Sequence, residues 1–239
     1  SRPLLWIHAP SVGEGLQAEA VLRPIRERHP EWQVVYTHFS PSAEPLARRI
    51  GASVFDYLPY DTPQAARHLL DALAPSALVF SKLDLWPELA TRAAARRVPV
   101  ALIAATVRPR SGRLRWPART LLAPGYRALA VVAAVDPADG ERLVTLGADR
   151  GAVRVLGDPR FDSVAAKVAA VRPDDPLLRY GEGAPTLVAG STWPGDEAVL
   201  LEAFVQVRAA HPAARLIVVP HEPTAARLAA LDALARRIG

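Results

Sequence analysis

Short apolar runs alternate along this chain with longer segments in which apolar residues recur at the spacing of an α-helix. The first run, residues 4–7, is too short for a buried helix, and Pro10 and Gly13 end it, so it predicts a core strand. Strands are predicted over residues 4–7, 33–37, 53–57, 77–80, 98–104, 128–133 and 153–156. Helices are predicted between them over residues 15–28, 43–50, 62–73, 87–97, 111–122 and 136–146. This alternation predicts a mostly parallel sheet covered by helices on both faces.

The alternation loosens between Gly157 and Pro185, where prolines, glycines and a polar run predict an interdomain linker over residues 157–185. Residues 1–156 are therefore predicted to form a first domain. A second α/β pattern follows, with strands over residues 186–189 and 215–219 and helices over residues 194–210 and 224–236. Two parallel strands cannot bury both faces of a sheet, so residues 186–239 are expected to be an incomplete second domain.

The turn after the first strand holds the first candidate for chemistry. Glu14 is its only ionisable side chain, and the turn is expected at the carboxyl end of a parallel strand, where ligands bind in open α/β sheets. The run Ser11-Val-Gly-Glu14 also fits a capping box, in which both side chains only satisfy the start of a helix. The two interpretations are compatible, and local pattern does not choose between them.

Composition excludes several classes of protein. Half of the 239 residues are apolar, which is enough for a large core, yet no apolar run approaches the roughly 18 residues that a membrane-spanning helix needs. No export signal opens the chain. Cysteine is absent and the 6 histidines lack metal-ligand spacing, so disulfides, thiolate chemistry and a bound metal are not expected. Methionine is also absent, even at position 1, so we expect the chain to begin inside a longer reading frame.

The net charge of +5 is modest, but its distribution is uneven. No acidic residue lies between Glu88 and Asp136, a stretch that holds nine arginines. Five of these fall between Arg108 and Arg119, around Trp116, a mixture suited to a membrane surface of anionic lipids or to phosphates. The alternative is a solvated helix face in an arginine-rich chain. Nucleic acid is not expected as a partner, because aromatic residues near the arginines are few and no nucleic-acid-binding module is recognisable.

Seven short stretches, taken together and in order, resemble one protein family. They are His8-Ala-Pro-Ser-Val-Gly-Glu14, Ser40-Pro-Ser42, Tyr57-Leu-Pro-Tyr-Asp61, Leu85-Trp-Pro87, Pro109-Arg-Ser111, Leu156-Gly157 with Phe161-Asp162, and Ala189-Gly-Ser-Thr192. Each stretch is short, but seven in register over about residues 4 to 223 are similar to the 3-deoxy-D-manno-octulosonic acid (Kdo) transferases of lipopolysaccharide assembly.

The resemblance implies a GT-B-like α/β fold of two Rossmann-like domains with mostly parallel sheets, the second one incomplete. It implies a glycosyltransferase that moves Kdo, or a related sugar acid, from a CMP-activated donor to a lipid A-type glycolipid acceptor. Glu14 would be the general base on the acceptor hydroxyl. No cofactor is implied, because CMP-Kdo is a substrate. The protein would be peripheral, on the cytoplasmic side of the bacterial inner membrane, with the region from Arg108 to Arg119 on the membrane surface.

The resemblance and the strand order also assign binding residues. The acceptor-side residues are Ser11, Gly13, Ser40, Ser42, Asp84 and Arg110, and the donor-binding residues are Gly190, Ser191, Thr192 and His221. Residues 190–192 are predicted as a turn before a helix entered at Pro194, so that N–H groups and two hydroxyls would face a phosphate. The alternative is an ordinary Ser/Thr cap. Side chains that follow parallel strands are expected to line one cleft, namely Ser11, Glu14, Ser40, Ser42, Asp84, Arg110, Ser191 and His221.

The chain departs from the family's pattern at several positions. The family's Glu-Thr-Glu before Leu-Trp-Pro reads Lys82-Leu-Asp84 here, and its Asn-Ala-Arg reads Ala104-Ala-Thr106. The family's His after Gly-Ser-Thr is Trp193, and the Arg expected before His221 is missing. These departures leave an alternative, a non-catalytic or altered-specificity relative that binds an anionic glycolipid or a membrane surface. Because the second α/β pattern stops after two units, the isolated chain is not expected to catalyse transfer.

Overall fold

The computed structural model describes residues 2–238, which fall into two compact units divided between Ala169 and Ala170. We call them unit 1 and unit 2. The strands of unit 1 are β1 (Leu4–His8), β2 (Gln33–His38), β3 (Val54–Tyr57), β4 (Ala77–Ser81), β5 (Val100–Ala105), β6 (Val131–Ala134) and β7 (Val153–Val155). Its helices are α1 (Val12–Arg28), α2 (Glu44–Arg49), α3 (Pro63–Leu73), α4 (Pro87–Ala95), α5 (Ala118–Arg127), α6 (Pro137–Leu146) and α7 (Pro159–Ala169).

The strands of unit 1 form one parallel sheet in the order β3-β2-β1-β4-β5-β6-β7. The chain first adds strands on one side of β1 and then, from β4 onward, on the other side. The direction of winding therefore reverses between β1 and β4, and such a switch point leaves a crevice at the carboxyl ends of the two strands. Because His8 pairs with Phe80, the chain leaves both strands at nearly the same level.

Successive side chains of β1 pack on opposite faces of the sheet. Leu5 and Ile7 join a buried cluster that includes Leu22 of α1. Trp6 joins a second buried cluster, which includes Leu89 of α4 and Tyr126 of α5. Both faces of the sheet are thus covered by helices, which explains why its central strands appear in the sequence as continuous apolar runs.

The start of α1 lies close against the sheet because a glycine stands at the point of contact. A Cβ atom on Gly15 would lie 2.7 Å from Tyr36 Oη and would overlap the side chain of Leu46. Tyr36 is fully buried and donates a hydrogen bond to the Ala9 carbonyl at 3.3 Å, so it has no room to move aside. Gly15 therefore sets how closely the first turn of α1, which carries Glu14, approaches the sheet.

Unit 2 contains the parallel strands β8 (Thr186–Thr192) and β9 (Arg215–Pro220) and the helices α8 (Pro194–Ala210) and α9 (Ala225–Ile238). In the part of unit 2 that the structure describes, residues 170–238, no apolar side chain belongs to the buried core. Leu187 and Val199, for example, are 51% and 70% exposed. Two strands and two helices alone thus leave much of their apolar surface in water.

One helix lies several residues beyond its predicted position. The helix predicted over residues 111–122 was wrong at both ends, because α5 occupies Ala118–Arg127 and only a 3-10 turn forms at Gly112–Leu114. Pro117, which has no N–H to donate, stands at the N-cap of α5, and Pro124 is tolerated inside the helix. The strand predicted over residues 128–133 is shortened to β6 because Ala128 still caps α5.

The segment predicted as an interdomain linker, residues 157–185, contains regular structure. It holds α7 and a 3-10 turn at Leu178–Tyr180. Gln17 of α1 donates a hydrogen bond to Asp158 Oδ1 at 3.4 Å, so the start of this segment is attached to unit 1. Proline is favourable in the first turn of a helix, and Pro159 therefore did not indicate a loop. The domain boundaries themselves stay a prediction.

No helix within residues 2–238 is both long enough and apolar enough to cross a membrane.

We expect unit 2 to open locally more readily than unit 1, because none of its residues from 170 to 238 belongs to the buried hydrophobic core. Amides of residues 216–219 in β9 should exchange with deuterium at least about tenfold faster than those of residues 131–134 in β6. Hydrogen exchange read by mass spectrometry measures both segments in one sample, so β6 is the internal reference. Equal protection in the two strands would show that unit 2 is stable without such a core.

We expect Gly15→Ala to destabilise unit 1 by about 1–3 kcal/mol, because the added methyl group overpacks the contact with Tyr36 and Leu46. Gly13→Ala is the matched control on the same turn, since the nearest atom to its new Cβ is Ser11 Oγ at 3.9 Å. Urea denaturation followed by circular dichroism measures both variants. A Gly15→Ala protein as stable as Gly13→Ala would show that α1 can shift outward at no cost.

Candidate functional site

The candidate site lies at the switch point, where the chain leaves β1 and β4. After β1, residues 9–11 lead into α1, and Glu14 follows in its first turn. After β4 the chain turns at Lys82, whose backbone has a φ of 64°, a left-handed conformation that is uncommon outside glycine. Ser81 Oγ donates a hydrogen bond to the Glu14 carbonyl at 3.2 Å and joins the two segments.

The Glu14 carboxylate is held by contacts on both of its oxygens. Lys82 Nζ lies 2.8 Å from Oε1, and Ser11 Oγ donates a hydrogen bond to Oε2. The Glu14 side chain is 13% exposed and the Lys82 side chain 44%, so the carboxylate is mostly shielded from water while its partner is half-exposed. The sequence did not predict the pair, because its two members lie 68 residues apart along the chain.

The capping box predicted over residues 11–14 is not formed. Ser11 does occupy the N-cap position with an extended backbone, but its side chain makes no hydrogen bond to the N–H groups of the first turn. Its hydroxyl is instead donated to the Glu14 carboxylate. The carboxylate is positioned by Lys82 rather than by the N-cap backbone, and the reciprocal geometry of a capping box is therefore lost.

Two opposing effects set the proton affinity of Glu14. Burial raises the pKa of this carboxyl, but the hydrogen bonds from Lys82 and Ser11 and the positive charge of Lys82 outweigh burial, and the pKa is lowered overall. Glu14 is therefore a carboxylate at neutral pH. As long as Lys82 stays in place, it is a weaker base than an unpaired glutamate.

Asp84 is the second carboxylate at the switch point. Its Oδ2 accepts hydrogen bonds from His8 Nε2 and from Trp86 Nε1, each at 3.0 Å. Burial raises the pKa of Asp84, but the two hydrogen bonds and nearby positive charge together outweigh burial, and the pKa is lowered overall. Asp84 is thus ionised and held by one oxygen. Its Oδ1 has no hydrogen-bond partner among the residues that the structure describes and can accept one from a ligand.

His8 ends β1 and is fully buried. Because ionised Asp84 only accepts hydrogen bonds, Nε2 of His8 must carry the proton in this assignment, and Nδ1 accepts from the Thr37 hydroxyl at 3.1 Å. Thr37 in turn accepts from Trp6 Nε1 at 2.9 Å. A hydrogen-bonded series therefore runs from the core to Asp84. Sequence reasoning gave His8 no role, although a histidine at the end of an apolar strand was the available signal.

The loop after β2 reaches the same edge of the sheet. Ser40 N donates to the Pro10 carbonyl at 2.8 Å, and Ser40 Oγ lies 2.8 Å from Ser42 Oγ. Phe39 makes an edge-on contact with Trp86, which is bonded to Asp84. The structure therefore brings the serines of this loop, Ser11, Glu14 and Asp84 to one edge of unit 1, as the strand order predicted.

Lys82 also lines a basic cavity of about 770 Å³. Its polar lining residues are Lys82, Thr106, Arg108, Arg110, Ser111 and Arg160. Arg113 has a different role, because its Nη1 donates to the Leu83 carbonyl at 2.8 Å and so supports the turn after β4. Arg108 and Arg110 thus line the cavity from exposed positions, whereas Arg113 makes a structural contact.

The donor-side residues of unit 2 form a separate cluster. β8 extends to Thr192, so the turn predicted over residues 190–192 is wrong, and these residues form the end of a strand with a register shift. The Thr192 hydroxyl donates to buried Glu197 at 2.9 Å and is therefore not directed at a ligand. Ser191 Oγ lies 2.6 Å from His221 Nδ1, and the His221 ring stacks on Trp193 at 4.9 Å.

Within residues 2–238, no group of three or more His, Asp and Glu side chains is placed to hold a metal ion. Six of the eight residues expected to line one cleft lie in unit 1. Ser191 and His221 belong to unit 2 and contact each other, so the single cleft stays a prediction. The role of each residue also stays a prediction.

The comparison with protein families gives one match over most of the chain. Residues 1–163 match the family model described as 3-deoxy-D-manno-octulosonic-acid transferase. The 3-deoxy-D-manno-octulosonic acid transferase of Bordetella pertussis is 31% identical over 229 residues, and that of Haemophilus influenzae is 26% identical over 221 residues. Each alignment covers 92% of this chain and 52% of the relative, so the chain spans about half the length of the curated relatives it matches.

Solved structures with the same fold have low sequence identity. UDP-GlcNAc 2-epimerase from Neisseria meningitidis has a TM-score of 0.71 at 11% identity, over 99% of this chain and 70% of that one. A glycosyltransferase from Rickettsia africae has a TM-score of 0.58 at 8% identity, over 100% of this chain and 66% of that one. These likenesses show the fold alone, and they confirm the predicted GT-B-like α/β class.

The family inferred from seven short stretches of sequence is confirmed by the family model and by the curated relatives. The chain belongs to the 3-deoxy-D-manno-octulosonic acid transferase family, whose members are glycosyltransferases.

Proposed function

We propose that this protein transfers Kdo, or a related sugar acid, from a CMP-activated donor to a lipid A-type glycolipid, with Glu14 as the general base. The observation that supports this most directly is the position of Glu14. It is a shielded carboxylate in the first turn after β1, at the switch point where ligands bind in doubly wound sheets. Family membership supports the reaction class.

The proposed reaction forms a bond between an acceptor hydroxyl oxygen and the anomeric carbon of the sugar acid, while the bond from that carbon to the phosphate oxygen of CMP breaks. Glu14 takes the proton of the acceptor hydroxyl, and CMP leaves with the electron pair. A base must reach this proton directly, so Lys82, now 2.8 Å from Glu14 Oε1, has to yield space to the acceptor. Asp84 Oδ1 is a second acceptor of hydrogen bonds for the same sugar.

The donor is proposed to bind unit 2 at Gly190, Ser191, Thr192 and His221. The contact between Ser191 and His221 supports this assignment, because it places a hydroxyl and an imidazole together at the ends of β8 and β9. Ser191 has a φ of 62°, and such backbone conformations in non-glycine residues often occur at ligand sites. Because the Thr192 hydroxyl is donated to Glu197, Thr192 is proposed to support the donor site structurally and not to contact the donor through its hydroxyl.

The surface around α5 is proposed to contact the cytoplasmic face of the inner membrane. Trp116 and Leu121 are 82% and 72% exposed, and Arg115 and Arg119 beside them are exposed as well. Exposed apolar side chains flanked by arginines suit the headgroup region of an anionic bilayer. Arg113 is excluded from this surface by its bond to Leu83.

The alternative is a relative with altered specificity or without catalysis that binds the same glycolipid. The specific observation in its favour is the Lys82–Glu14 ion pair. Lys82 stands where the family has a carboxylate, and its ammonium group occupies the candidate base. The two proposals differ in whether the protein transfers this sugar acid to the glycolipid.

In the natural protein, Glu14→Gln is expected to lower the single-turnover rate of transfer by about 10²–10⁴-fold, the usual contribution of a general base. Glutamine keeps the size of the side chain, so binding of the acceptor should largely survive. Glu19→Gln, on the same helix and also half-buried, is the control and should transfer normally. A Glu14→Gln rate within a few-fold of wild type would remove Glu14 from the mechanism, and a wild-type protein that binds the glycolipid without transferring sugar would favour the alternative.

The double substitution of Arg115 and Arg119 by Gln is expected to weaken binding to vesicles of anionic lipid, since each arginine near such a surface contributes about 1 kcal/mol at low salt. Co-sedimentation with phosphatidylglycerol vesicles at low and at high ionic strength measures the effect. The same double change at Arg23 and Arg28, two exposed arginines of α1, controls for the loss of charge. Equal loss in both variants would indicate a general charge effect and no defined surface.

A further inference from the structure

The polar lining of the basic cavity is almost entirely positive or hydrogen-donating. Arg108 and Arg110 form no ion pair with any residue between positions 2 and 238, whereas Arg160 is already paired with Asp158. Ser111 Oγ accepts the N–H of Arg113 at 3.4 Å, which leaves its hydroxyl proton free to be donated. Unpaired guanidinium groups beside a hydroxyl donor are suited to an anion with several acceptor oxygens.

Lys82 is shared between this cavity and Glu14. It lines the cavity and also places Nζ 2.8 Å from Glu14 Oε1. Its left-handed backbone is fixed in part by a hydrogen bond from its N–H to the Ile103 carbonyl at 2.7 Å. The Lys82 side chain is 44% exposed, so its ammonium group can move a short distance without opening the core.

We propose that the basic cavity binds a phosphomonoester group, and that Lys82 divides its ammonium group between that phosphate and Glu14. A phosphomonoester carries close to two negative charges at neutral pH and three acceptor oxygens, which fits two guanidinium groups and an ammonium group better than a single carboxylate does. This inference deepens the proposed function and rests on it for the identity of the ligand, a phosphate carried by the glycolipid acceptor.

In this arrangement, binding of the acceptor strengthens the base that removes its proton. In the free protein, burial raises the pKa of Glu14, but the contacts with Lys82 and Ser11 together outweigh burial and lower it overall. When the phosphate draws Lys82 toward the cavity, the Lys82 contacts weaken, and the negative phosphate nearby acts in the same direction. The pKa of Glu14 then rises and its carboxylate becomes both a better base and sterically accessible.

Other charged or titratable groups near Glu14 would not give the same response. Tyr36 of β2 interacts with the Glu14 charge, and burial raises the pKa of its phenol well above its usual value, so it stays neutral. Arg160 at the start of α7 is paired with Asp158, which also accepts a hydrogen bond from Gln17. The half-buried lysine is therefore the group whose position the anion can change.

Binding of inorganic phosphate to the chain tests the cavity without any transfer reaction. Lys82→Met and Arg110→Gln are each expected to weaken binding about tenfold, the size of one charge-assisted hydrogen bond. Lys167→Met removes the other lysine of the chain, which is exposed on α7, and should leave binding unchanged. Isothermal titration at low ionic strength measures all four proteins. Absence of binding, or equal loss in both lysine variants, would overturn the proposal.

A double-mutant cycle tests whether Lys82 is shared. Glu14→Gln should tighten phosphate binding several-fold when Lys82 is present, because the ammonium group is then released to the cavity. In the Lys82→Met background the same change should have a clearly smaller effect. Additive effects of the two substitutions would show that the lysine does not couple the two sites.

The titration of Glu14 gives an independent readout. In protein carrying ¹³C-labelled glutamate, with the Glu14 signal assigned by its loss in Glu14→Gln, the apparent pKa should rise when phosphate is added and also in Lys82→Met without phosphate. A pKa that phosphate leaves unchanged would contradict the proposal. Circular dichroism of each variant confirms that the changes do not come from unfolding.

The source of the phosphate is distinguished by a second probe. Glucosamine 1-phosphate should bind with the same dependence on Lys82 as inorganic phosphate if the cavity takes the phosphate of a glycolipid. Binding of inorganic phosphate alone would overturn that identity. If the natural protein transfers sugar but binds neither probe, only this inference fails. If both probes bind but Glu14→Gln transfers normally, the proposed function fails and the anion site remains.

Discussion

The reversal of winding between β1 and β4 is the constraint on which the site depends. Because the segments that follow β1 and β4 go to opposite faces of the sheet, they separate and leave a crevice between them. Glu14 stands on one wall and Lys82 on the other. The hydrogen bond from Ser81 to the Glu14 carbonyl joins the two walls. The absence of a side chain at Gly15 lets the start of α1 lie close to the sheet, against buried Tyr36.

The sequence predicted the elements of unit 1 well because burial on both faces leaves a simple pattern. Each central strand is a continuous apolar run, and β1 to β4 lie within about a residue of their predicted places. Prediction was least accurate around prolines, because a proline can interrupt a helix but is also favourable in its first turn. Pro117 and Pro159 stand at helix starts and Pro124 lies inside a helix. The predicted position of α5 was therefore wrong, and α7 lies in the segment predicted as a linker.

The position of Glu14 could be predicted, but its surroundings could not. A turn after a parallel strand identifies the sheet edge from local sequence alone, whereas its partner Lys82 lies 68 residues away. The same limit applies to His8, whose partners Thr37 and Asp84 come from two other segments. In unit 2, the end of β8 was predicted too early because Gly190 suggested a turn, although the strand continues through a register shift.

The two carboxylates at the switch point are both held below their usual pKa, yet by different kinds of partner. Asp84 is bonded to a fully buried ring, which is itself fixed by Thr37 and the core, so no ligand can displace His8 without disrupting the sheet. Glu14 is bonded to a flexible, half-exposed ammonium group. A neighbouring anion can therefore change the proton affinity of Glu14 while Asp84 remains an ionised acceptor. This difference suits Asp84 to orient a sugar hydroxyl and Glu14 to remove its proton.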